Sequence, residues 1–249
     1  MDIIRAHGLT VGYGKEPVLE GLDFGVPEGL ITVVLGISGS GKSTLLKTLA
    51  GLLPPLGGGF DFAGAPVDYR SERSLGTLYE RIGVLYQGGA LLNGLSLYEN
   101  VALPIRMHYP GIPEAVVRDM VYAGLAQVEM ADAASKTPAE LSGGMRKRGA
   151  LARALAMDPD VVFCDEPSSG LDPITSSLLD DLLLRLKETF GTTLVVVTHE
   201  LRSIERIADR VLVLHEGRLH HAGAAAGLAG SADPFIRTFF LKRDSHDDA

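Results

Sequence analysis

Apolar positions along residues 1–35 recur in short runs, IIRAHGLTVGYG, PVLEGLDFGVPEG and LITVVLG, parted by glycine and proline turns, and this predicts three strands. The third run is almost continuously apolar, the pattern of a strand buried on both faces, and Leu45–Ala50 continues as a helix one loop later. Pro54, Pro55 and Gly57–Gly59 break that pattern before a strand-like piece, FDFAGAPV, so the N-terminal pieces are expected to build a small sheet beside the main one. RIGVLYQ, residues 81–87, returns to a buried strand and ends in a polar residue. From there to about residue 140 the period becomes helical: Ser96 and Glu99 predict a capping box ahead of LYENVAL, and Pro113–Glu114 a first helical turn leading into AVVRDMVYAGL. An inserted helical subdomain over 88–150 is expected rather than a β–α repeat. LSGGMRKRGALARALAMDPD predicts a helix opening at Ser142, VVFCDE a strand, and Asp172–Pro173 a helix that stops near Gly191 before the strand TTLVVVTH. A hairpin, RVLVLHEGRLHHAG, a weak helix and the polar end KRDSHDDA complete the chain, with residues 223–249 read as a C-terminal extension. No internal repeat or long low-complexity tract interrupts this order.

The loop between the buried strand and its helix reads GISGSGKST. Gly-x-x-x-x-Gly-Lys-Ser, Gly36 to Ser43, is what a backbone needs to wrap a polyphosphate: glycines permit the tight turn and close approach, so successive N–H groups converge on phosphate oxygens. Lys42 would reach the β- and γ-phosphates, Ser43 would offer its hydroxyl to Mg²⁺, and the helix opening near Gly41 would aim its positive end at the anion. A plain glycine-rich turn would match the same letters, but the strand, loop and helix context favours the phosphate loop. Gly36, Ser38, Gly39, Ser40, Gly41, Lys42, Ser43 and Thr44 are therefore the candidate nucleotide-binding residues.

Composition narrows the setting. With 249 residues the chain can bury a substantial core, and a net charge of −8 argues against a sequence-independent grip on nucleic acid. The single cysteine, Cys164, excludes an internal disulfide framework and a cysteine-rich zinc site, which fits a cytosolic setting. No secretory signal is recognised, and runs such as LITVVLGI and TTLVVV are too short to span a bilayer, so a membrane role is expected to come through a partner.

VVFCDEP, residues 161–167, is an apolar run ending in two adjacent carboxylates. Successive strand side chains point oppositely, so the two are expected to divide the work. Asp165 suits a magnesium ligand, direct or through water, and Glu166 suits a base that polarises an attacking water. Ser142 with Gly143 and Gly144 at a helix start forms a second anion-binding end, or simply a cap. Two such ends in one fold pose a geometric question, since the phosphate loop already holds one anion.

The order Gly36–Ser43, Gln87, LSGG at 141–144, DE at 165–166, SSGLD at 168–172 and TH at 198–199 resembles the nucleotide-binding subunit of ABC transporters over nearly the whole chain. The resemblance implies an α/β fold: a P-loop NTPase core of the RecA-like kind, with an antiparallel β subdomain and an inserted helical subdomain. It implies ATP and Mg²⁺ as cofactors and ATP hydrolysis as the reaction. Glu166, His199 and Gln87 become the catalytic set, and Ser43, Gln87 and Asp165 the metal set. Tyr13 resembles the aromatic that stacks on adenine, with a core strand tyrosine as the rival. Asp172 resembles an aspartate that communicates between subunits, and can also be a plain helix cap. In this family the LSGG segment of one subunit closes over ATP held by another, so the two anion sites imply a homodimer.

LSGGM, with Met145 where many members have glutamine, together with LYQGGALLNGLSLYENVALP and DEPSSGLDPIT, is similar to the ATPases of MCE-type lipid-trafficking systems. Arg146, Lys147 and Arg148 within it can equally be a solvated helical face. This similarity implies an integral-membrane permease touching residues 88–107, an MCE substrate-binding protein, a STAS-domain regulator, no nucleic-acid partner, and a peripheral position on the cytoplasmic face of the inner membrane. An importer ATPase for small solutes, or a soluble ATPase of iron–sulfur cluster assembly, would share the same ATP chemistry.

Overall fold

The computed structural model describes residues 1–241. The two N-terminal runs form an antiparallel pair, β1 (Asp2–Tyr13) and β2 (Glu16–Pro27). In β1 the residues facing the core change from Ile4 and Ala6 to Leu9 and Val11, from even to odd numbers. A register shift between Ala6 and Leu9, with Gly8 at φ +52°, makes the change: one extra residue flips the inward face.

The continuous apolar run becomes β3 (Ile31–Gly36), buried at all six positions, and α1 (Lys42–Leu49) follows it. β4 (Gly57–Phe62) and β5 (Ala65–Pro66) then complete an antiparallel sheet of order β2-β1-β4-β5. Here the expectation that Gly57–Gly59 break the pattern is corrected, because they form the first half of β4. The reason is close approach: a Cβ on Gly58 would lie 2.2 Å from the Gly8 carbonyl oxygen of β1, so glycine is what lets the strands meet.

Sequence reasoning passed over α2 (Glu72–Glu80), in which Leu78 alone is buried. A helix that presents one apolar residue to the core carries no 3.6-residue hydrophobic period to read, and its start is marked instead by the Ser71 hydroxyl accepting from the Ser74 N–H. β6 (Ile82–Leu85) follows, and Gln87 lies two residues beyond its end. Next come α3 (Leu97–His108), α4 (Glu114–Gln127) and α5 (Gly143–Leu155), which pack on one another through Val101, Ile105, Val121, Leu125 and Leu151. Only half of the capping box expected at α3 is present. Ser96 Oγ accepts from the Glu99 N–H, but the Glu99 carboxylate is drawn away to Arg106 at 2.5 Å. The reciprocal box sits instead in SKTPAEL, where Glu140 accepts from the Thr137 N–H at 2.7 Å.

β7 (Val161–Asp165), α6 (Pro173–Phe190), β8 (Thr193–Val197), α7 (Leu201–Ile207), β9 (Arg210–His215) and β10 (Arg218–Ala224) close the main sheet, of order β10-β9-β3-β8-β7-β6. β6, β7, β8, β3 and β9 run parallel, and β10 returns antiparallel at the edge. α8 (Pro234–Leu241) follows a short 3-10 turn, and the polar end KRDSHDDA lies outside the described residues.

Strand alternation sorts the core into two layers. Val33 and Leu35, Val162 and Cys164, Leu194 and Val196, and Val211 and Val213 face α3 to α6. Val34, Val161 and Phe163, Val195 and Val197, and Leu212 and Leu214 face α1 and the antiparallel sheet. Both faces of the parallel strands are covered, which is why these strands read as unbroken apolar runs. Cys164 sits inside this core, and burial pushes its thiol up to about 12, so it is inert. Among the described residues no helix is long and apolar enough to cross a membrane.

One carboxylate lies between helices. Asp180 of α6 is 5% exposed and accepts from the Ser203 hydroxyl of α7 at 2.8 Å. Burial pushes its pKa from 3.8 up to about 6, with the Ser203 hydrogen bond pulling the other way. A carboxyl that holds its proton more tightly folded than unfolded contributes most below its unfolded pKa, and that contribution is lost as pH rises through about 6. Asp180→Asn keeps an acceptor for Ser203 without the charge. By denaturant titration it should exceed the parent chain in stability by roughly 1 kcal/mol near pH 8, and the gap should shrink towards about pH 5.

Candidate functional site

The C-terminal end of β3 delivers Gly36 to the edge of the sheet, where the chain turns through Ile37–Ser40, the Ser40 N–H donating to the Ile37 carbonyl at 3.1 Å. Two glycines here are steric necessities. A Cβ on Gly36 would lie 2.9 Å from the Leu214 carbonyl oxygen, and one on Gly41, at φ +94°, would press on Val18 and Leu19 at 2.9 and 2.8 Å. Gly41 caps α1 with no side-chain hydrogen bond and no acidic residue in the first turn, which leaves the positive end of the helix uncompensated.

Lys42 folds back along the loop. Its ammonium donates to the carbonyls of Gly36 at 2.8 Å and Ile37 at 2.9 Å, and the residue is 8% exposed. Burial holds its pKa below the usual lysine value, opposed by the negative charges of Glu166 and Asp165. Ser43 Oγ donates to Asp165 Oδ1 at 3.1 Å, joining the start of α1 to the end of β7. Desolvation raises the Asp165 pKa, and the Ser43 hydroxyl works against it.

Asp165 and Glu166 meet different partners, and strand alternation is not what separates them. Asp165 ends β7, and Glu166 leaves the strand in the left-handed region at φ +45°. That conformation costs a non-glycine residue about 1–2 kcal/mol. The Glu166 N–H is nevertheless held by the Val197 carbonyl at 2.8 Å, next to Thr198 and His199. The Glu166 carboxylate is thereby turned to meet two neighbours: His199 Nδ1 lies 3.1 Å from Oε1, and Gln87 Nε2 donates to Oε2 at 3.3 Å.

Gly36, Ser38, Gly39, Gly41, Lys42, Ser43, Thr44, Gln87, Glu166 and His199 line one cavity of about 1130 Å³. Ile37 of the loop, with Val18, Leu201 and Phe235, which sequence reasoning did not single out, completes its wall among the described residues. Ser40 lies beside it with its hydroxyl buried over Gly36. Asp165 touches the cavity through Ser43. Tyr13 ends β1, is 51% exposed and is not on the cavity wall.

Ser142, Gly143, Gly144 and Asp172 lie outside the cavity. Ser142 caps α5, accepting from the Met145 N–H at 3.3 Å, and Asp172 caps α6, accepting from the N–H groups of Ile174 and Thr175. The Thr175 hydroxyl also donates to Asp172, and these bonds lower the Asp172 pKa. A Cβ on Gly144 would sit 2.4 Å from the Thr175 methyl, so the two helix starts touch because position 144 has no side chain.

A solvated helical face was one alternative for Arg146, Lys147 and Arg148, and for Lys147 the structure excludes it. Lys147 is 6% exposed and donates to the main-chain carbonyls of Gln87 and, at 3.2 Å, Glu166. Its signal in the sequence was slight: Lys147 falls on the side of α5 shared with the buried Ala150, Leu151 and Ala154.

A polyphosphate loop at the carboxyl edge of a parallel sheet, faced by a carboxylate held between an amide and an imidazole, defines a nucleoside-triphosphatase of the P-loop class. The family model of the ABC transporter matches residues 19–169. The intermembrane phospholipid transport system ATP-binding protein MlaF of Haemophilus influenzae is 38% identical over 244 residues, covering 98% of this chain and 92% of its own. The probable ribonucleotide transport ATP-binding protein mkl of Mycobacterium tuberculosis is 38% identical over 240 residues, covering 96% of this chain and 67% of its own. A solved dimeric ATP-binding cassette, in a post-hydrolysis state bound to ADP and Pi, superposes with a TM-score of 0.80 at 29% identity, covering 90% of this chain and 99% of that one. The chain belongs to the ABC transporter family, as an ATP-binding and ATP-hydrolysing subunit.

Lys42→Ala removes the ammonium that lines the loop. Equilibrium titration should show ATP affinity falling by about tenfold or more, as expected for loss of a charge-assisted contact to phosphate. An unchanged affinity would contradict the assignment of Gly36–Thr44 as the phosphate cradle.

Proposed function

We propose that two copies of this chain face each other across two ATP molecules, with the phosphates in the Gly36–Thr44 cradle of one copy and the Ser142–Gly144 helix start of the other completing each site. The observation that carries the reading is that Ser142, Gly143, Gly144 and Asp172 lie off the cavity that holds the rest of the set. Two anion-binding ends on one chain then serve two different nucleotides. The dimeric relative supports the same arrangement. Tyr13, paired with Glu16 at the β1–β2 turn, two residues along β2 from the cavity-lining Val18, is suited to stacking on the adenine ring.

Mg²⁺ suits the mouth of the loop. Ser43 Oγ and Asp165 Oδ1, 3.1 Å apart, are hard oxygen donors of the kind this ion takes alongside phosphate oxygens and water, with Gln87 able to join through its amide oxygen. When bound, it would supply charge neutralisation between the β- and γ-phosphates. Glu166 accepts the proton of the attacking water as its oxygen bonds to the γ-phosphorus and the bond to ADP breaks. His199 and Gln87 orient that carboxylate from either side, and in this reading His199 also donates to the γ-phosphate. Lys42 leaves the Gly36 and Ile37 carbonyls for phosphate oxygens, exchanging neutral acceptors for charged ones. Hydrolysis places two anions where one joined them, and the dimer opens.

The cargo we infer is phospholipid. The likeness to MlaF runs through nearly all of both chains, whereas a third of mkl lies outside its match. The reading carries with it a permease docked against residues 88–107, where Leu92 and Met107 are exposed at 46% and 71%. An MCE protein beyond the membrane, a STAS-domain regulator and attachment at the cytoplasmic face of the inner membrane belong to the same reading. The lipid itself never meets this chain.

Glu166→Gln should bind ATP, dimerise more persistently than the parent chain and lose turnover; full retained turnover would reject Glu166 as the base. Detergent pull-down from the native membrane should bring down an integral-membrane permease with bound phospholipid. Recovery of soluble scaffold proteins with no permease would overturn the transporter assignment for the complex, and a permease devoid of phospholipid would overturn the cargo.

A further inference from the structure

α5 begins with Ser142–Gly144 and, within the same helix, carries two cations whose hydrogen bonds end on main-chain carbonyls of other segments. Lys147 reaches the carbonyls of Gln87 and Glu166. Arg153 donates to the carbonyls of Ala90 at 2.7 Å and Gly89 at 3.1 Å. Two of the three non-glycine residues that these cations hold, Glu166 and Ala90, adopt left-handed backbone, at φ +45° and +49°. Such conformations persist only when their surroundings over-determine them. The Glu166 carbonyl accepts from the Ser169 N–H as well as from Lys147, and its N–H is held by Val197. Lys147 thus makes one of three hydrogen bonds to the main chain of the residue that carries the carboxylate, and it is the group that also grips Gln87, whose amide touches the same carboxylate at 3.3 Å.

We propose that Lys147 is a positioning residue that ties the Gln87 segment and Glu166 to α5, so that the water-activating carboxylate takes its working orientation only while that helix stands where the partner's nucleotide holds Ser142–Gly144. The proposal rests on the roles given above to Glu166 and to the facing copy. It makes each nucleotide in the dimer sensitive to the other: displacement of α5 at one site pulls on the Gln87 and Glu166 carbonyls of the neighbouring site through one buried ammonium. A flexible lysine fits this task because its compact charge can satisfy two convergent carbonyls at once, which a neutral apolar side chain of similar length cannot.

The test uses the full chain in its assembled transporter and compares Lys147→Met, Lys147→Arg and Glu166→Gln. Lys147→Met should lower kcat by about tenfold or more while leaving KM for ATP and the equilibrium affinity within about twofold, the split expected of a lost orienting contact. Lys147→Arg, which keeps donors at that position, should recover most of the turnover. Hydrogen exchange in Lys147→Met should quicken at residues 87–90 and 166–169 and stay unchanged at 36–44. A kcat within about twofold of the parent chain, or quickened exchange throughout the protein with weakened ATP binding, would overturn the proposal. If Lys147→Met does not fold, Lys147→Ala carries the same criteria. Full turnover in Glu166→Gln would mean that the assignment of the base has failed. Lost turnover there with an unaffected Lys147→Met would mean that the positioning role alone has failed.

Discussion

The main chain at Gly36 and Gly41 passes so close to the Leu214 carbonyl and to Val18 and Leu19 that no Cβ fits, and the site depends on that close approach. It is possible because β3 lies between β8 and β9 in a sheet covered on both faces, so the strand's end is located by neighbours on each side. A loop seated this firmly can aim main-chain N–H groups at an anion without reorganising when the anion arrives, which is what makes a backbone cradle effective. The same sheet brings the ends of β3, β7 and β8 to one edge. Lys42, Asp165, Glu166 and His199 therefore meet although more than 150 residues separate the first from the last.

Charge around this edge follows a consistent rule. Two buried lysines and one half-buried arginine rest on main-chain carbonyls: Lys42 on Gly36 and Ile37, Lys147 on Gln87 and Glu166, and Arg153 on Gly89 and Ala90. A carbonyl compensates a buried ammonium only partly, and desolvation accordingly lowers the pKa of both lysines while the nearby carboxylates oppose it. Lys42 faces the cavity and is thereby ready to exchange its carbonyls for a phosphate. Lys147 faces the protein and holds segments together. Two chemically identical side chains acquire different tasks from the direction in which they are buried.

The candidate site was legible because its residues carry unusual chemistry at fixed offsets. Gly36–Thr44, Asp165 and Glu166 were named from residue chemistry and Gln87 and His199 from the family resemblance, and these converge, whereas Ser142–Gly144 and Asp172 stand apart at other helix starts and Tyr13 lies off the cavity wall. What escaped was of another kind. α2 has one buried residue and so no period to detect. Gly57–Gly59 read as breakers because glycine is ordinarily weak in strands, and only the approach of β1 reveals why β4 needs them. Glu99 read as the partner of Ser96 because the offset was right, yet Arg106 offered it a charge, which outweighs a neutral N–H.

Local periodicity and side-chain chemistry determined, from the sequence alone, most of the strands and helices, the strands covered on both faces, and a glycine-rich loop and a pair of adjacent carboxylates suited to phosphate, metal and water. The tertiary structure decided the rest: that Glu166 turns left-handed to face His199 and Gln87, that the signature helix start lies away from the cavity of its own chain, and that Lys147 reaches inward instead of into solvent. The reason is that a motif records what a side chain can donate or accept, whereas the partner in each of these cases includes a main-chain carbonyl or a packing neighbour. Every residue offers a carbonyl, so no pattern of letters can single out the one a buried cation will find; only the folded path of the chain selects it.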